Sequence, residues 1–497
     1  RARSGEWSAL HEATFAVGPV AENLRITEIM YHPGDPEPAS PYEDDNFEFI
    51  ELRNISSANS INLALVSFTN GIDFTFPSWE LAPGESVVVV KDPNAFESRY
   101  GTGINTAGTY AGSLNNAGER VELEDAIGQT ILNFRYKDGW YDITDGVGFS
   151  LTIKNPADPN LNTWDQKSSW RPSASVGGSP GWDDAGTVPD LGDVVINELL
   201  AHSHLATPDW IELHNTTDEQ INIGGWFLSD SDNDFTKYEI AEGTTIELND
   251  YVVFYEDANF GSLSDDQGCH TPFALSENGE TLYLHSGQDG VLTGYSEEED
   301  FGASETAVAF GRHLKSTGTY NFVAMSENTP GWANAYPKVG PVVISEIMYH
   351  PQGTRDAEYV ELLNISGGSV TLYDFTTNEP WKFADEGGIE FFFPTDSPVT
   401  MADGEYILLV KDLGVFSSKF SAKEGTRIFE WGLAAGNLSN GGEKIQLSMP
   451  GDVDGIGVRQ YIRVDRVNYS DGSHPVGEDP WPTEPDTDDK SLTRKVM

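Results

Sequence analysis

One six-residue phrase occurs three times in this chain. It reads Phe49-Ile50-Glu51-Leu52-Arg53-Asn54, then Trp210-Ile211-Glu212-Leu213-His214-Asn215, then Tyr359-Val360-Glu361-Leu362-Leu363-Asn364. Aromatic and β-branched residues suit a pleated, half-buried surface, and Asn tolerates the turn that follows, so each copy predicts a strand running into a turn. Each copy is preceded by a second strand-like segment: Leu24-Arg25-Ile26-Thr27-Glu28-Ile29, Val195-Ile196-Asn197-Glu198-Leu199 and Val343-Ile344-Ser345-Glu346-Ile347. Simple alternation places Ile26 and Glu28 on one face, with Thr27 and Ile29 on the other. The spacing from Ile26 to Ile196 to Ile344 is that of whole domains in tandem, far longer than a solenoid repeat.

Further elements recur in the same order. An apolar run follows a turn at Pro83-Gly84, at Asn249-Asp250 and at Asp403-Gly404. The segments Leu114–Leu123, Leu275–Leu284 and Leu438–Leu447 each carry a Gly ahead of an alternating strand, where the turn needs a positive backbone angle. Two copies close on Ser179-Pro180-Gly181-Trp182 and Thr329-Pro330-Gly331-Trp332. The third runs to Met497 without that closure, and the expectation is that it lacks its C-terminal strand, leaving a sheet edge open. Many short strands with frequent turn signals and no convincing amphipathic helix predict an all-β chain of three tandem immunoglobulin-like antiparallel β-sandwiches. The expected division is 1–23, the end of a preceding module plus linker, with a closing strand through Trp7 and Phe15; then domains at 24–186, 190–337 and 341–497. The opening at Arg1 without a methionine suggests a piece of a longer protein. The short linkers at 184–189 and 333–337 predict little motion between domains.

Charge narrows the partners. With 80 acidic against 29 basic residues the net charge is −51, which argues against nucleic acid because phosphate binding needs clustered Lys and Arg. An acidic surface suits a salty medium or the holding of divalent cations. Cys269 is the sole cysteine, so no intrachain disulfide exists, and it reads as a lone half-buried thiol. No run approaches the ~20 apolar residues of a membrane helix.

Taken together, these elements resemble the lamin-tail domain. Its pattern runs Ile-x-Glu-Ile, Phe-Ile-Glu-Leu-x-Asn, Gly-Trp-x-Leu-Ser-Asp, Leu-x-Pro-Gly, Leu-x-Asn-x-Gly-Glu and Thr-Pro-Gly. Gly225-Trp226-Phe227-Leu228-Ser229-Asp230 carries the third of these intact, while the first and third repeats depart from it there. The resemblance spans residues 24–497. It implies an immunoglobulin-like sandwich with a binding or structural role and no shared active site. Tandem acidic copies look like the bacterial exported type, often found beside enzyme domains.

No nucleophile, zinc-protease, phosphate-loop or dinucleotide signature is present, so no catalytic residue and no enzymatic activity is expected. The best carboxylate constellation is Glu28, Glu51 and Glu119, recurring as Glu198, Glu212 and Glu280 and as Glu346, Glu361 and Glu443. These either share a cation or bond turn amides, the second reading being favoured because a structural role would recur in every repeat. Asp230, Asp232 and Asp234 alternate along Asp230-Ser231-Asp232-Asn233-Asp234 as oxygen ligands of calcium would, and Asp452-Val453-Asp454 is a shorter version. His32 and His350 read as satisfied loop histidines. Trp170, Trp182, Trp226 and Trp332 read as core residues. The expected function is a non-catalytic extracellular structural or adhesive segment of a larger secreted or surface bacterial protein, acting in scaffolding or self-assembly. Its expected partners are other protein chains or copies of itself, without nucleic acid and without membrane insertion. The alternatives are a calcium-stabilised carbohydrate-binding appendage of a surface enzyme, with surface polysaccharide as partner, and an enzyme with an interdomain site.

Overall fold

A computed structural model describes residues 20–187, 189–204, 207–262, 268–315, 318–473, 481–487 and 489–495. The expected closing strand through Trp7 and Phe15 lies outside the described residues. Three hydrophobic cores run in chain order, each between two sheets. In the first domain the larger sheet has an opening strand (Leu24–Met30) beside a central strand (Phe49–Asn54). The central strand pairs on its far side with Ser86–Val90, and the opening strand pairs with a return strand, Leu151–Ile153. An outer strand, Trp170–Pro172, completes that side. The second domain repeats this with Val194–Leu200, Trp210–Asn215, Tyr251–Tyr255, return strand Phe310–Leu314 and outer strand Tyr320–Ala324. A four-stranded sheet faces it in every domain.

The third domain has opening strand Val342–Met348, central strand Tyr359–Asn364 and return strand Leu492–Thr493. The return strand is present, and the outer strand and Pro-Gly turn of its siblings have no counterpart among the described residues.

The opening strands do not alternate simply, which corrects the sequence expectation. Ile26 pairs with Leu52 and Glu28 with Glu51, so Thr27 is bulged out. The same slip separates Ile196 from Glu198 and Ile344 from Glu346. Two residues opposing one restores the phase beyond the bulge. Ile26 and Ile29 both enter the core with Ile50 and Leu52, while Glu28 and Glu51 sit side by side on the outer face.

Helices were not foreseen either. Pro93–Tyr100 and Leu413–Lys419 cover the outer face of the first and third domains. Asp92 and Asp412 cap them by accepting amide hydrogens, and Pro93 suits a first helical turn. Phe96 packs edge-on against Phe49, and Phe416 against Tyr359. Because each helix carries the chain across the face, the strand after it pairs in parallel, at Thr106–Thr109 and Arg427–Glu430. The sheets are antiparallel apart from this edge. Among the described residues no helix is long and apolar enough to cross a membrane.

Two repeated residues have purely architectural reasons. Gly118, Gly279 and Gly442 have φ of +82°, +93° and +106°, and a Cβ there would lie about 2.5 Å from a carbonyl oxygen of the facing strand. The Asn ending each central strand is fully buried. Asn54 Nδ2 donates to the carbonyls of Asn59, Leu81 and Ala82, and its Oδ1 accepts from Ser56 N. Asn215 and Asn364 make the same four-way bracket. It ties the central strand to the connection that leads into the next strand. Asn215→Ala leaves buried carbonyls without a donor and should cost about 2–3 kcal/mol. Asn215→Asp should be no better, since it cannot donate. Urea unfolding of both variants, followed by amide exchange in the second domain, checks this.

Candidate functional site: a glutamate pair that clasps a Pro-Gly turn

The bulge sets two carboxylates side by side on each sheet's outer face, and the chain returns from far away to meet them. In the first domain Glu28 Oε1 accepts from Ser179 N at 2.7 Å and from Ser150 Oγ at 2.5 Å. Glu51 Oε2 accepts from Gly181 N at 2.7 Å, and its Oε1 accepts from Thr27 Oγ1 at 2.6 Å. The second domain repeats the grip. Glu198 takes Thr329 N at 3.0 Å and Thr329 Oγ1 at 2.6 Å, and Glu212 takes Gly331 N at 2.5 Å and Asn197 Nδ2 at 2.7 Å. The two amides of each Ser/Thr-Pro-Gly turn are thus divided between the two glutamates. Proline between them has no N–H and holds the turn's shape.

Burial raises the affinity of these carboxyls for protons. Glu28 is pushed up to about 8, by burial first and then by the neighbouring Glu51 carboxylate. Burial likewise lifts Glu212 to about 7, and moves Glu51 and Glu198 upward. The third glutamate of each set does not join the pair. Glu119, Glu280 and Glu443 each accept from a backbone amide four residues earlier, at Asn115, Ser276 and Ser439, closing their own turns. The nine glutamates therefore bond turn amides and neighbouring side chains rather than converging on a shared cation.

The third domain departs from its siblings. Glu346 Oε1 accepts from Tyr359 OH at 2.8 Å and from Ser491 Oγ, and Glu361 Oε1 accepts from Ser345 Oγ at 2.9 Å. Ser491 and Ser345 stand where Ser150 and Thr27 stand in the first domain. No Pro-Gly turn reaches this pair among the described residues. An open pocket of about 660 Å³ lies there, lined by Glu346, Tyr359, Glu361, Leu408, Phe416 and Phe420 among others. In the first domain a different space, on the return-strand side of Glu28 and Glu51 and lined by Thr152, Arg171, Ser179 and Trp182 among others, is about 80 Å³.

Residues singled out from sequence fall as follows. Asp230 is paired with Lys237 Nζ, Asp232 Oδ1 accepts from Asn233 Nδ2, and Asp234 Oδ1 accepts from Thr236 N and Oγ1. Each carboxylate is engaged by its own loop, and among the described residues no group of three or more His, Cys, Asp or Glu converges as a metal cage. Asp454 closes its hairpin through Ile456 N and Val458 N. His32 pairs with Asp145 and His350 with Asp486, each within its own domain. Cys269 is buried rather than half-buried. Trp170 and Trp226 are core residues, but Trp182 and Trp332 are 76% and 75% exposed, correcting the expectation. The glutamates hold the backbone of the turn, so its Trp side chain points away.

One further acidic position escaped the sequence reading. Glu48 and Glu358, just before the central-strand aromatic, are buried. Glu48 Oε2 accepts from Tyr110 OH and Leu114 N, and Glu358 Oε2 from Leu438 N. Asp209 holds that place in the second domain and accepts from Ser203 N. The acid-aromatic step ahead of each central strand was the available signal.

The family model described as Lamin Tail Domain matches residues 19–138, 187–298 and 336–470, well over half of the chain. No curated protein matches the chain. Ser179, Gly181, Thr329, Gly331 and Ser491, which reach the glutamates, all lie outside the matched segments.

Two outcomes follow. Glu28 binds a proton more tightly folded than unfolded, so its contribution is complete below its ordinary value near 4.5 and is lost as pH rises through about 8. The first domain's thermal midpoint should fall from pH 5 to pH 8.5. Glu28→Gln should flatten that fall by up to one proton, ~1.4 kcal/mol per pH unit. Calorimetry across pH on both proteins checks it. For the aspartate loop, millimolar calcium and sodium chloride of equal ionic strength should raise the midpoint equally; a rise particular to calcium would make Asp230, Asp232 and Asp234 its ligands.

Proposed function

The chain belongs to the lamin tail domain family, and on that premise we propose that it is a non-catalytic structural segment of a larger secreted or surface bacterial protein. It acts in extracellular scaffolding or self-assembly, with other protein chains or further copies of itself as partners. The observation that carries this reading is how the tandem domains pack. Ile143 and Phe149 of the first domain form one buried cluster with Phe235 and Tyr283 of the second. Gly294 N donates to Ala174 O, and a Cβ at Gly294 would lie 2.0 Å from Ser173 O, so the second domain's hairpin presses directly on the first domain's backbone. Lys167 and Glu298 pair across the same boundary. The connecting segment is pinned too: Asp184 accepts from Arg171, Ala174 N and Gly186 N.

The second and third domains also meet. Phe310 and Ala324 lie with Pro341, Met449, Ile462 and Val464 around a cavity of about 30 Å³. A small, largely apolar gap marks closely packed surfaces. Interfaces of this kind suit a segment that transmits position or force along a chain. By default, domains joined by flexible linkers move relative to one another.

A second reading, a polysaccharide-binding appendage, is favoured by Trp182, Trp332 and Tyr336, whose rings are open to solvent. Trp182 stands on the first domain and Trp332 and Tyr336 on the second, and the buried contacts between domains favour the structural reading.

Small-angle scattering of the chain should give one narrow distribution of shapes, unchanged between low and moderate salt. Phe149→Ser should broaden it while leaving far-ultraviolet circular dichroism intact. A broad distribution for the unmodified chain would remove the basis for a scaffold of fixed geometry.

A further inference from the structure

A histidine is buried where the first two domains meet. His285 lies in the strand Gly279–Gln288 of the second domain's four-stranded sheet. Leu282 and Leu284 of that strand enter the core, so Tyr283 and His285 stand on the opposite face, toward the first domain. Phe235 covers them, its ring 4.4 Å from that of His285 and 5.1 Å from that of Tyr283. Phe235 and Tyr283 in turn share one buried cluster with Ile143 and Phe149 of the first domain. His285 is 1% exposed, and neither Nδ1 nor Nε2 has a hydrogen-bond partner among the described residues. A polar ring without a partner is costly to bury, and a charged one far more so.

The charged groups around the ring are all engaged elsewhere. On its own strand, Tyr283 OH donates to Asp142 of the first domain, whose carboxyl is raised by burial and then by Glu298. On the strand beside it Ser296 opposes His285 and Glu298 opposes Tyr283, and Glu298 pairs with Lys167, which also lies over the Tyr141 ring. On the other side Phe227 opposes His285, with His270 beyond it beside Glu239. In the covering loop Asp230 pairs with Lys237, Asp232 accepts from Asn233 and Asp234 accepts from Thr236. Burial pushes the His285 imidazole down to about 3, and the Tyr295 backbone, which favours the charged form, does not offset it.

We propose that His285 is an acid-sensitive latch between the first two domains: protonation of its ring releases one from the other while each remains folded. The charged ring cannot stay in a dry contact under Phe235, whereas in the released state it meets water. The released state therefore binds one more proton. The contact is complete above the histidine's ordinary value near 6.5 and weakens as pH falls below it. Between pH 7.5 and pH 5 one such proton shifts the equilibrium toward release about thirtyfold. Two other effects of acid have the opposite sign. Neutralising Asp142 removes its repulsion with Glu298, and a chain of net charge −51 repels itself less as its carboxylates are protonated. Release on acidification thus points to the imidazole. This rests on the structural reading above and deepens it by naming what regulates the joint. The two fail differently: a broad distribution of shapes at pH 7.5 removes the structural reading, and compact shapes at every pH remove only the latch.

The test is small-angle scattering of the full chain from pH 7.5 to pH 4, with circular dichroism at each step to establish folding. The unmodified chain should broaden its distribution of shapes on the acid side of pH 6.5 and recover on return to pH 7.5. His285→Phe and His285→Leu keep an apolar side chain under Phe235 and cannot be charged, so both should stay compact throughout. A chain that stays compact to pH 4, or variants that open at the same pH as the unmodified protein, would overturn the proposal. The unmodified protein supplies a second readout that needs no variant to fold. In carbon–proton spectra the buried imidazole should remain neutral until the domains separate and become charged in that same step. Charging while the domains stay together would equally overturn the latch.

Discussion

A carboxylate turned toward a covered sheet face must find hydrogen-bond donors, and in this protein that need joins the two ends of a domain. The bulge at Thr27 puts Glu28 and Glu51 together on the outer face, and the donors come from Ser179 and Gly181, more than a hundred residues later. Leaving a buried acceptor unmet costs on the order of 1–3 kcal/mol, more when it is charged. The turn's amides are in the complementary position, being too far from any strand to pair with a ladder. Each side satisfies the other, and the return and outer strands between them are held against the sheet. The second domain reaches the same solution with Thr329 and Gly331.

The buried Asn at the end of each central strand plays the matching part at the opposite end. Its amide has two hydrogens and its oxygen accepts, so one side chain can bridge three carbonyls and a backbone N–H. Asp could not donate, and a Gln would place the amide one carbon too far out. The hexapeptide thus carries three separate jobs: its aromatic and Glu face the outer side, its branched residue and Leu fill the core, and its Asn brackets the next connection. That division of labour explains why the phrase stays recognisable while the surrounding loops differ. In the first and third domains a helix rests on the aromatic, and in the second Trp210 instead packs with Leu200 and Ala309.

Fold class and repeat number were open to reading from sequence because period, turn chemistry and order of elements all agreed in three copies. The candidate site was only half legible. Recurrence singled out Glu28, Glu51 and Glu119 as one set, but spacing cannot tell which strands will be neighbours. Glu119 lies on the other sheet and closes its own turn. The Ser-Pro-Gly-Trp closure is visible as punctuation, and its Trp reads as core because large aromatics in repeated positions usually pack. The alternation rule failed at the opening strand because a bulge adds a residue without leaving a mark in composition. Short helices escaped because eight residues give too few turns for a period, although Asp92-Pro93 was a start signal.

The sequence by itself determined that this chain makes three β-sandwich domains in tandem, since strand period and turn residues are local and act within a few residues. Only the tertiary structure decided that the glutamate pairs hold a distant Pro-Gly turn, that the third pair meets tyrosine and serine instead, and that neighbouring domains share buried contacts. Those outcomes depend on which surfaces meet after the chain has folded, and a hydrogen bond spanning 151 residues, as from Ser179 to Glu28, has no local pattern to announce it.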